Sequence, residues 1–248
     1  MKATAKLYDF EAEVIQTIMR TPDVLSIRLR RPEGFNYLPG QWMLVTPGKK
    51  TEQPTKPLSL SSSPTEDFLE VTKRLTGHEF SNALAALKPG DATSLQGPYG
   101  NLTFHGEDDK ICMLSGGIGI TPLRSMIRYS FDERLKTDIV LIYSNRFEND
   151  IAFKEDFDAL QETCPNFKMI STITNPSQEW KGLTGRINAE MVKTVVPDHA
   201  DRVFYSCGPK PMVDDLVAML DEMGIPKEHE RFEYFSGYLG APDTKSRS

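Results

Sequence analysis

Apolar and polar residues follow two rhythms along this chain, and the change comes near Phe104. Before it, Leu25, Ile27 and Leu29 alternate with Ser26, Arg28 and Arg30, the two-residue period of a half-buried strand. Trp42-Met43-Leu44-Val45 predicts another strand before the Pro47-Gly48 turn, and Leu58–Ser62, Phe68–Thr72 and Thr93–Leu95 predict three more. Phe80, Leu84 and Leu87 interrupt with helical spacing until Pro89-Gly90 stops them. Short strands separated by turn signals predict an antiparallel β-barrel over residues 1–103. After it, continuous apolar runs at Ile111–Leu114, Ile139–Tyr143, Phe167–Ile170 and Val203–Tyr205 alternate with amphipathic stretches. These stretches carry Phe153, Phe157 and Leu160, then Met191, Val192 and Val195, then Met212, Val213, Leu216, Met219 and Leu220. With a final strand at Phe232–Phe235, the pattern predicts an α/β Rossmann-like domain over 104–240, built on a five-stranded parallel sheet with both faces covered. Residues 241–248 read as a flexible polar tail.

The first of the later apolar runs leads into Ser115-Gly116-Gly117-Ile118-Gly119-Ile120-Thr121-Pro122, and Leu123, Met126, Ile127 and Phe131 lead out at helical spacing. The segment reads as strand, glycine turn and helix, with Thr121 as N-cap and Pro122 at the first helical position. Such a helix start gathers free N–H groups and suits a phosphate. Gly117 and Gly119 satisfy part of the dinucleotide fingerprint, but Pro122 holds the place of its third glycine. A plain strand-to-helix turn fits the same spacing.

Composition narrows the class. The chain has 248 residues, 39% hydrophobic and 26% charged, as in soluble globular proteins. A net charge of −6 gives no reason to expect nucleic-acid binding. The first residues lack the apolar core of a signal peptide, and no apolar run has membrane-spanning length. Cys112, Cys164 and Cys207 are distant and odd in number, which points to a reducing, cytoplasmic setting. Neither they nor the four histidines have metal-ligand or iron–sulfur spacing, so no metal site is expected.

Three further stretches join the glycine turn: Lys56-Pro57-Leu58-Ser59; Lys73-Arg74 through Gly77, Phe80 and Ser81 to Gly97-Pro98-Tyr99-Gly100; and Cys207-Gly208-Pro209 followed by Pro211-Met212. In this order the four motifs resemble the ferredoxin–NADP reductase superfamily of flavin-dependent oxidoreductases, over roughly residues 8–238. The resemblance implies that the family's Arg-x-Tyr-Ser flavin motif falls on Lys56, Pro57, Leu58 and Ser59. Ser59 would lie near the flavin N5, and Lys56 would face its phosphates as a point charge in place of the two-pronged arginine. Leu58 stands where an aromatic residue lies against the flavin ring. Lys73, Arg74, Gly77, Phe80 and Ser81 would surround the flavin pyrophosphate, which favours FAD over FMN. Read without the resemblance, Ser81 is a surface helix residue.

The resemblance further implies that Gly116, Gly117, Gly119, Ile120, Thr121 and Pro122 take the pyrophosphate of NAD(P)H. Cys207 would sit beside the nicotinamide, with Gly208, Pro209 and Met212 completing that site; the simpler reading of Cys207 is a buried filler. Arg146, after the second α/β strand, suits a 2′-phosphate, although Glu148 is near and the choice between NADH and NADPH stays open. Phe232 or Phe235 would cover the flavin ring. The implied activity is hydride transfer between NAD(P)H and bound FAD, with Ser59 and Cys207 as catalytic residues. Electrons would pass to a separate acceptor, such as ferredoxin, another redox protein or an oxygenase partner. A reductase of free flavin and a non-catalytic nucleotide-responsive subunit are the competing expectations, and the oligomeric state is open.

Overall fold

The computed structural model describes residues 6–48 and 54–235. The polar tail expected at 241–248 lies outside them. Among the described residues, twelve strands and five α-helices follow in chain order: β1 (Tyr8–Thr21), β2 (Val24–Arg30), β3 (Trp42–Pro47), β4 (Lys56–Ser59), β5 (Phe68–Arg74), α1 (Glu79–Ala86), β6 (Ala92–Tyr99), β7 (Lys110–Gly116), α2 (Ile120–Asp132), β8 (Asp138–Asn145), α3 (Lys154–Thr163), β9 (Phe167–Ile173), β10 (Leu183–Thr184), α4 (Ala189–Val195), β11 (Val203–Gly208), α5 (Lys210–Glu222) and β12 (Glu230–Tyr234). Among the described residues no helix is long and apolar enough to cross a membrane.

The first six strands pair antiparallel in the order β4-β3-β6-β1-β2-β5. An antiparallel bridge between Leu60 and Val71 joins the two edges and closes the barrel. Alternation explains its interior: Ala12 and Val14 point inward beside exposed Glu11 and Glu13, and Ile27 and Leu29 pair with Val71 and Leu69 on the neighbouring strand. Each such valine, isoleucine or leucine side chain, fully buried, contributes about 2 kcal/mol of transfer free energy. From α1, Phe80 and Leu84 plug the same core.

The later strands form a parallel sheet in the order β10-β9-β8-β7-β11-β12. It has six strands, one more than expected. The extra one, Leu183–Thr184, is a two-residue edge strand paired with Thr172 and Ile173, too short to show a period in the sequence. The continuous apolar runs follow from burial on both faces. Ile111 and Met113 pack on one side with Leu123, Met126 and Phe157 of α2 and α3, while Cys112 and Leu114 pack on the other with Val192, Leu216 and Leu220 of α4 and α5. From β7 the chain winds outward through β8, β9 and β10, then returns to β11 on the opposite side. The glycine turn therefore leaves the sheet at its topological switch point, at the carboxyl end of β7.

The helix after that turn starts earlier than expected. A 3-10 turn over Gly117–Gly119 runs into α2 at Ile120, so Thr121 and Pro122 lie in the first helical turn. Thr121 does not cap the helix; its Oγ1 donates to Ile118 O at 3.2 Å. Pro122 is tolerated because first-turn N–H groups have no partner within an α-helix.

Candidate active site

Two clefts meet at the glycine turn. The first lies between the barrel and the α/β domain, where Trp42, Leu58, Ser59 and Lys73 face Ile118, Thr121, Glu233 and Phe235. The second is a cavity of about 510 Å³ at the carboxyl edge of the sheet, within the range that small-molecule ligands occupy. Gly116, Gly117, Ser144, Arg146, Pro209 and Met212 line it, and Arg74 reaches into it from the barrel. Gly116 and Gly117 thus belong to one cleft, and Ile118 and Thr121 to the other.

Backbone chemistry builds the turn. Gly117 has φ +50°, a left-handed conformation that side chains disfavour. Gly119 sits so close to β11 that a Cβ there would lie 2.3 Å from the Cys207 carbonyl oxygen. In return, Cys207 Sγ donates to Gly119 O at 3.0 Å, and burial holds the thiol well above its ordinary pKa. Met212 fills the gap between Gly116 and Gly208, since a Cβ on either would meet its side chain at 2.5 Å. Ile120 and Pro122 are buried beneath the turn.

The expected site residues separate into three groups. Pro57, Leu58, Ser59, Lys73, Thr121 and Phe235 converge on the inter-domain cleft. Gly116, Gly117, Arg146, Pro209, Met212 and Arg74 converge on the second cavity. The resemblance puts Arg74 at the flavin pyrophosphate, but its guanidinium lies beside Gly117, and its Nη1 pairs with Asp23 Oδ2 at 3.0 Å. The third group lines neither. Lys56 is exposed at the start of β4, Phe80 is in the barrel core, and Phe232 is 40% exposed on β12. Ser81 is buried, its Oγ accepting the Thr76 N–H at 2.9 Å, next to Gly77 in the turn before α1. Cys207 is enclosed behind the glycine turn, outside the lining of both clefts.

Among the lining residues that escape a reading of the sequence alone are Trp42, Glu233 and Arg186. Glu233 lines the cleft beside its neighbours Tyr234 and Phe235, so strand period does not single it out. Burial raises its carboxyl above the ordinary range, against opposing hydrogen bonds from the Asn101 backbone and the Trp42 side chain. Arg186 follows the short β10, and the signal that would find it is hidden with that strand.

The second cavity fits a dinucleotide by its own chemistry. Ser115 Oγ is fully buried at its wall without a hydrogen-bond partner, and two glycines let the backbone approach a phosphate closely.

Residues 11–104 match the model of the oxidoreductase FAD-binding domain, and residues 113–218 match that of the oxidoreductase NAD-binding domain. The chain belongs to the ferredoxin–NADP reductase superfamily. A relative from Chromohalobacter salexigens, the glycine betaine monooxygenase reductase subunit, is 29% identical over 230 residues, 89% of this chain and 62% of its own length. A Na(+)-translocating NADH-quinone reductase subunit from Pseudoalteromonas atlantica is 34% identical over 172 residues, 66% of this chain and 41% of its own length. This member of the superfamily thus spans less than two thirds of either curated relative. Among solved structures, the ferredoxin reductase in carbazole 1,9a-dioxygenase superposes with a TM-score of 0.82 at 27% identity, covering 94% of this chain and 71% of that one. The superfamily assigns FAD to the barrel and a nicotinamide dinucleotide to the α/β domain.

Proposed function

We propose that this protein oxidises NAD(P)H through bound FAD and delivers the electrons to a separate redox protein, an iron–sulfur protein or an oxygenase component. One observation carries the proposal: the glycine turn lines both clefts, so a dinucleotide phosphate held at Gly116 and Gly117 lies within one short turn of the cleft that Ser59 lines. FAD, when bound, supplies two-electron acceptance from a nicotinamide and one-electron release to an acceptor.

The chain's own residues do the rest. Backbone N–H groups at the start of α2 meet the pyrophosphate of the nicotinamide dinucleotide. Ser59 offers a hydroxyl on the barrel wall of the inter-domain cleft, and Leu58, Ile118 and Phe235 make that cleft apolar and restrict water. Glu233 can hold a proton there, because burial favours its neutral form. Cys207 acts through the turn, its thiol holding Gly119 against β11. The naming of one relative as a monooxygenase reductase subunit supports an oxygenase component as the partner.

The cavity also bears on nucleotide choice. Arg146 and Arg186 line it beside Ser144 and Thr174, and neither makes an ion pair among the described residues. Two guanidiniums not taken up by carboxylates suit a 2′-phosphate, so NADPH is the expected donor. Anaerobic titration of the FAD-loaded protein with NADPH and with NADH tests both statements. Bleaching of the flavin bands, faster with NADPH, is expected. Protein that takes up no FAD, or FAD that neither nucleotide bleaches, would overturn the proposed activity.

A further inference from the structure

A buried charge cluster joins the two domains behind the inter-domain cleft. Arg124, one helical turn into α2 and 5% exposed, makes a two-pronged pair with Glu66 of the barrel, its Nη2 3.0 Å from Oε1. Its Nη1 donates to Ser61 O at 3.0 Å, and its Nη2 donates to Asp156 Oδ2 of α3 at 3.1 Å. The next residue, Ser125, donates through Oγ to Ser62 O at 2.5 Å. At the far end of the same helix, Asp132 Oδ2 accepts from Thr65 Oγ1 at 2.5 Å. One barrel segment, Ser61–Glu66, is therefore tied along α2 at three levels.

The barrel holds that segment from below. Ser61 Oγ donates to Glu70 Oε1 at 3.0 Å, and Tyr37 OH donates to Ser62 O at 3.0 Å. Glu70 is fully buried and receives Arg20 and Arg28, each at 2.9 Å. Burial alone would raise its carboxyl, yet Arg20, Arg124 and Arg28 together hold it below its ordinary value. Arg20 and Arg124 also lie over the Phe153 ring at 4.7 and 5.6 Å, and Phe153 keeps a left-handed φ of +60° between β8 and α3. A non-glycine residue persists in that conformation only where its surroundings hold it there.

The two ends of the clamp matter for chemistry. Ser61 lies two residues beyond Ser59, and Arg124 lies one turn beyond the glycine turn. We propose that Arg124, with Ser125, is a positioning residue: it locks the Ser59 strand end to the dinucleotide turn, so that flavin and nicotinamide are held at reacting distance across the domain boundary. Its effect on the reaction rests on the proposed function; the mechanical lock does not. Reacting groups misplaced by about 1 Å lose on the order of a hundredfold in rate, while the affinity of each cofactor for its own domain is untouched.

The test compares Arg124→Met, Arg124→Lys and Ser125→Ala with the wild type. Removing one partner of a buried pair destabilises strongly, so Ser125→Ala, which strands no charge, decides the matter should Arg124→Met fail to fold. In FAD-loaded protein, single-turnover flavin reduction is expected to slow about a hundredfold in Arg124→Met and less in Ser125→Ala. Flavin content and nucleotide Kd should stay within about twofold, and Arg124→Lys should recover part of the rate. Amide hydrogen exchange of Leu60–Glu66 in flavin-free protein is expected to quicken in Arg124→Met and Ser125→Ala. Unchanged exchange in a folded variant overturns the lock itself, whatever the enzyme does. Faster exchange with wild-type flavin reduction, or slowing that resides wholly in Kd, overturns its positioning role. A wild-type protein whose flavin no nucleotide reduces overturns the proposed function, and the exchange result still decides the lock.

Discussion

The two clefts are made of different material. The dinucleotide cavity is chiefly a backbone construction on one sheet edge, where glycines replace side chains and guanidiniums stand at the rim. The inter-domain cleft is assembled from side chains that are far apart in sequence, with Trp42, Ser59 and Lys73 facing Ile118, Glu233 and Phe235. A backbone site depends on a few positions absolutely and on their neighbours hardly at all. A side-chain site spreads its dependence across many positions. Substitutions at the turn should therefore be severe and local, and those in the cleft should be graded.

The sharpest break is at Gly119. Its Cβ would meet a backbone carbonyl at 2.3 Å, which no rotamer change relieves, so Gly119→Val is expected to destabilise the fold by about 3 kcal/mol. Nucleotide binding should be lost with it. Gly117→Ala makes the control, since its Cβ would find nothing nearer than the Arg74 guanidinium at 3.8 Å. It bears only the left-handed backbone cost, about 1 kcal/mol. Urea denaturation of both variants measures the gap, and equal losses would mean that φ rather than close approach governs the turn.

Next in size, Ser59→Ala should slow single-turnover flavin reduction by up to about a hundredfold, the scale of one lost transition-state donor, while leaving FAD bound. An unchanged rate would remove Ser59 from the reaction and leave the cleft with a purely steric role.

How much of this is legible in the sequence follows the same division. The dinucleotide turn announces itself because glycine spacing between an apolar strand and a helical period is a local signal, and the four motifs fall in family order. The alternation of Leu25, Ile27 and Leu29 likewise marks β2, although Ser26 on its other face is buried as well. The position of the helix start is not legible, because the 3-10 turn at Gly117–Gly119 adds a turn that residue preferences at Thr121 and Pro122 do not encode. Arg74 is hidden for a different reason. It and Lys73 are adjacent on β5, so their side chains leave opposite faces, and only the packing of the second domain shows that Arg74 meets Gly117. Glu233 and Trp42 are partners across 191 residues of sequence, a pairing that no local pattern contains.

A smaller effect is expected at the rim. Arg146→Ala or Arg186→Ala should weaken NADPH binding about tenfold and leave NADH binding within twofold, because the loss is that of one charge-assisted contact to a 2′-phosphate. Equal weakening of both nucleotides would instead place these guanidiniums at the pyrophosphate that both share.

The mildest effect should come from Glu233, and it concerns pH. Burial favours its protonated form, so its folded-state pKa lies above the ordinary 4.5. Stability that depends on this neutral carboxyl is fully present below 4.5 and is lost as pH rises through the raised folded value. Glu233→Gln keeps an acceptor oxygen for Trp42 and the Asn101 backbone but cannot ionise. Wild type and variant should therefore unfold alike in acid, and the variant should become the more stable of the two as pH approaches neutral. Denaturant midpoints across that interval measure the difference. A gap that stays constant with pH would show that the cleft hydrates the carboxylate freely, and the inter-domain cleft would then be wetter than its apolar walls imply.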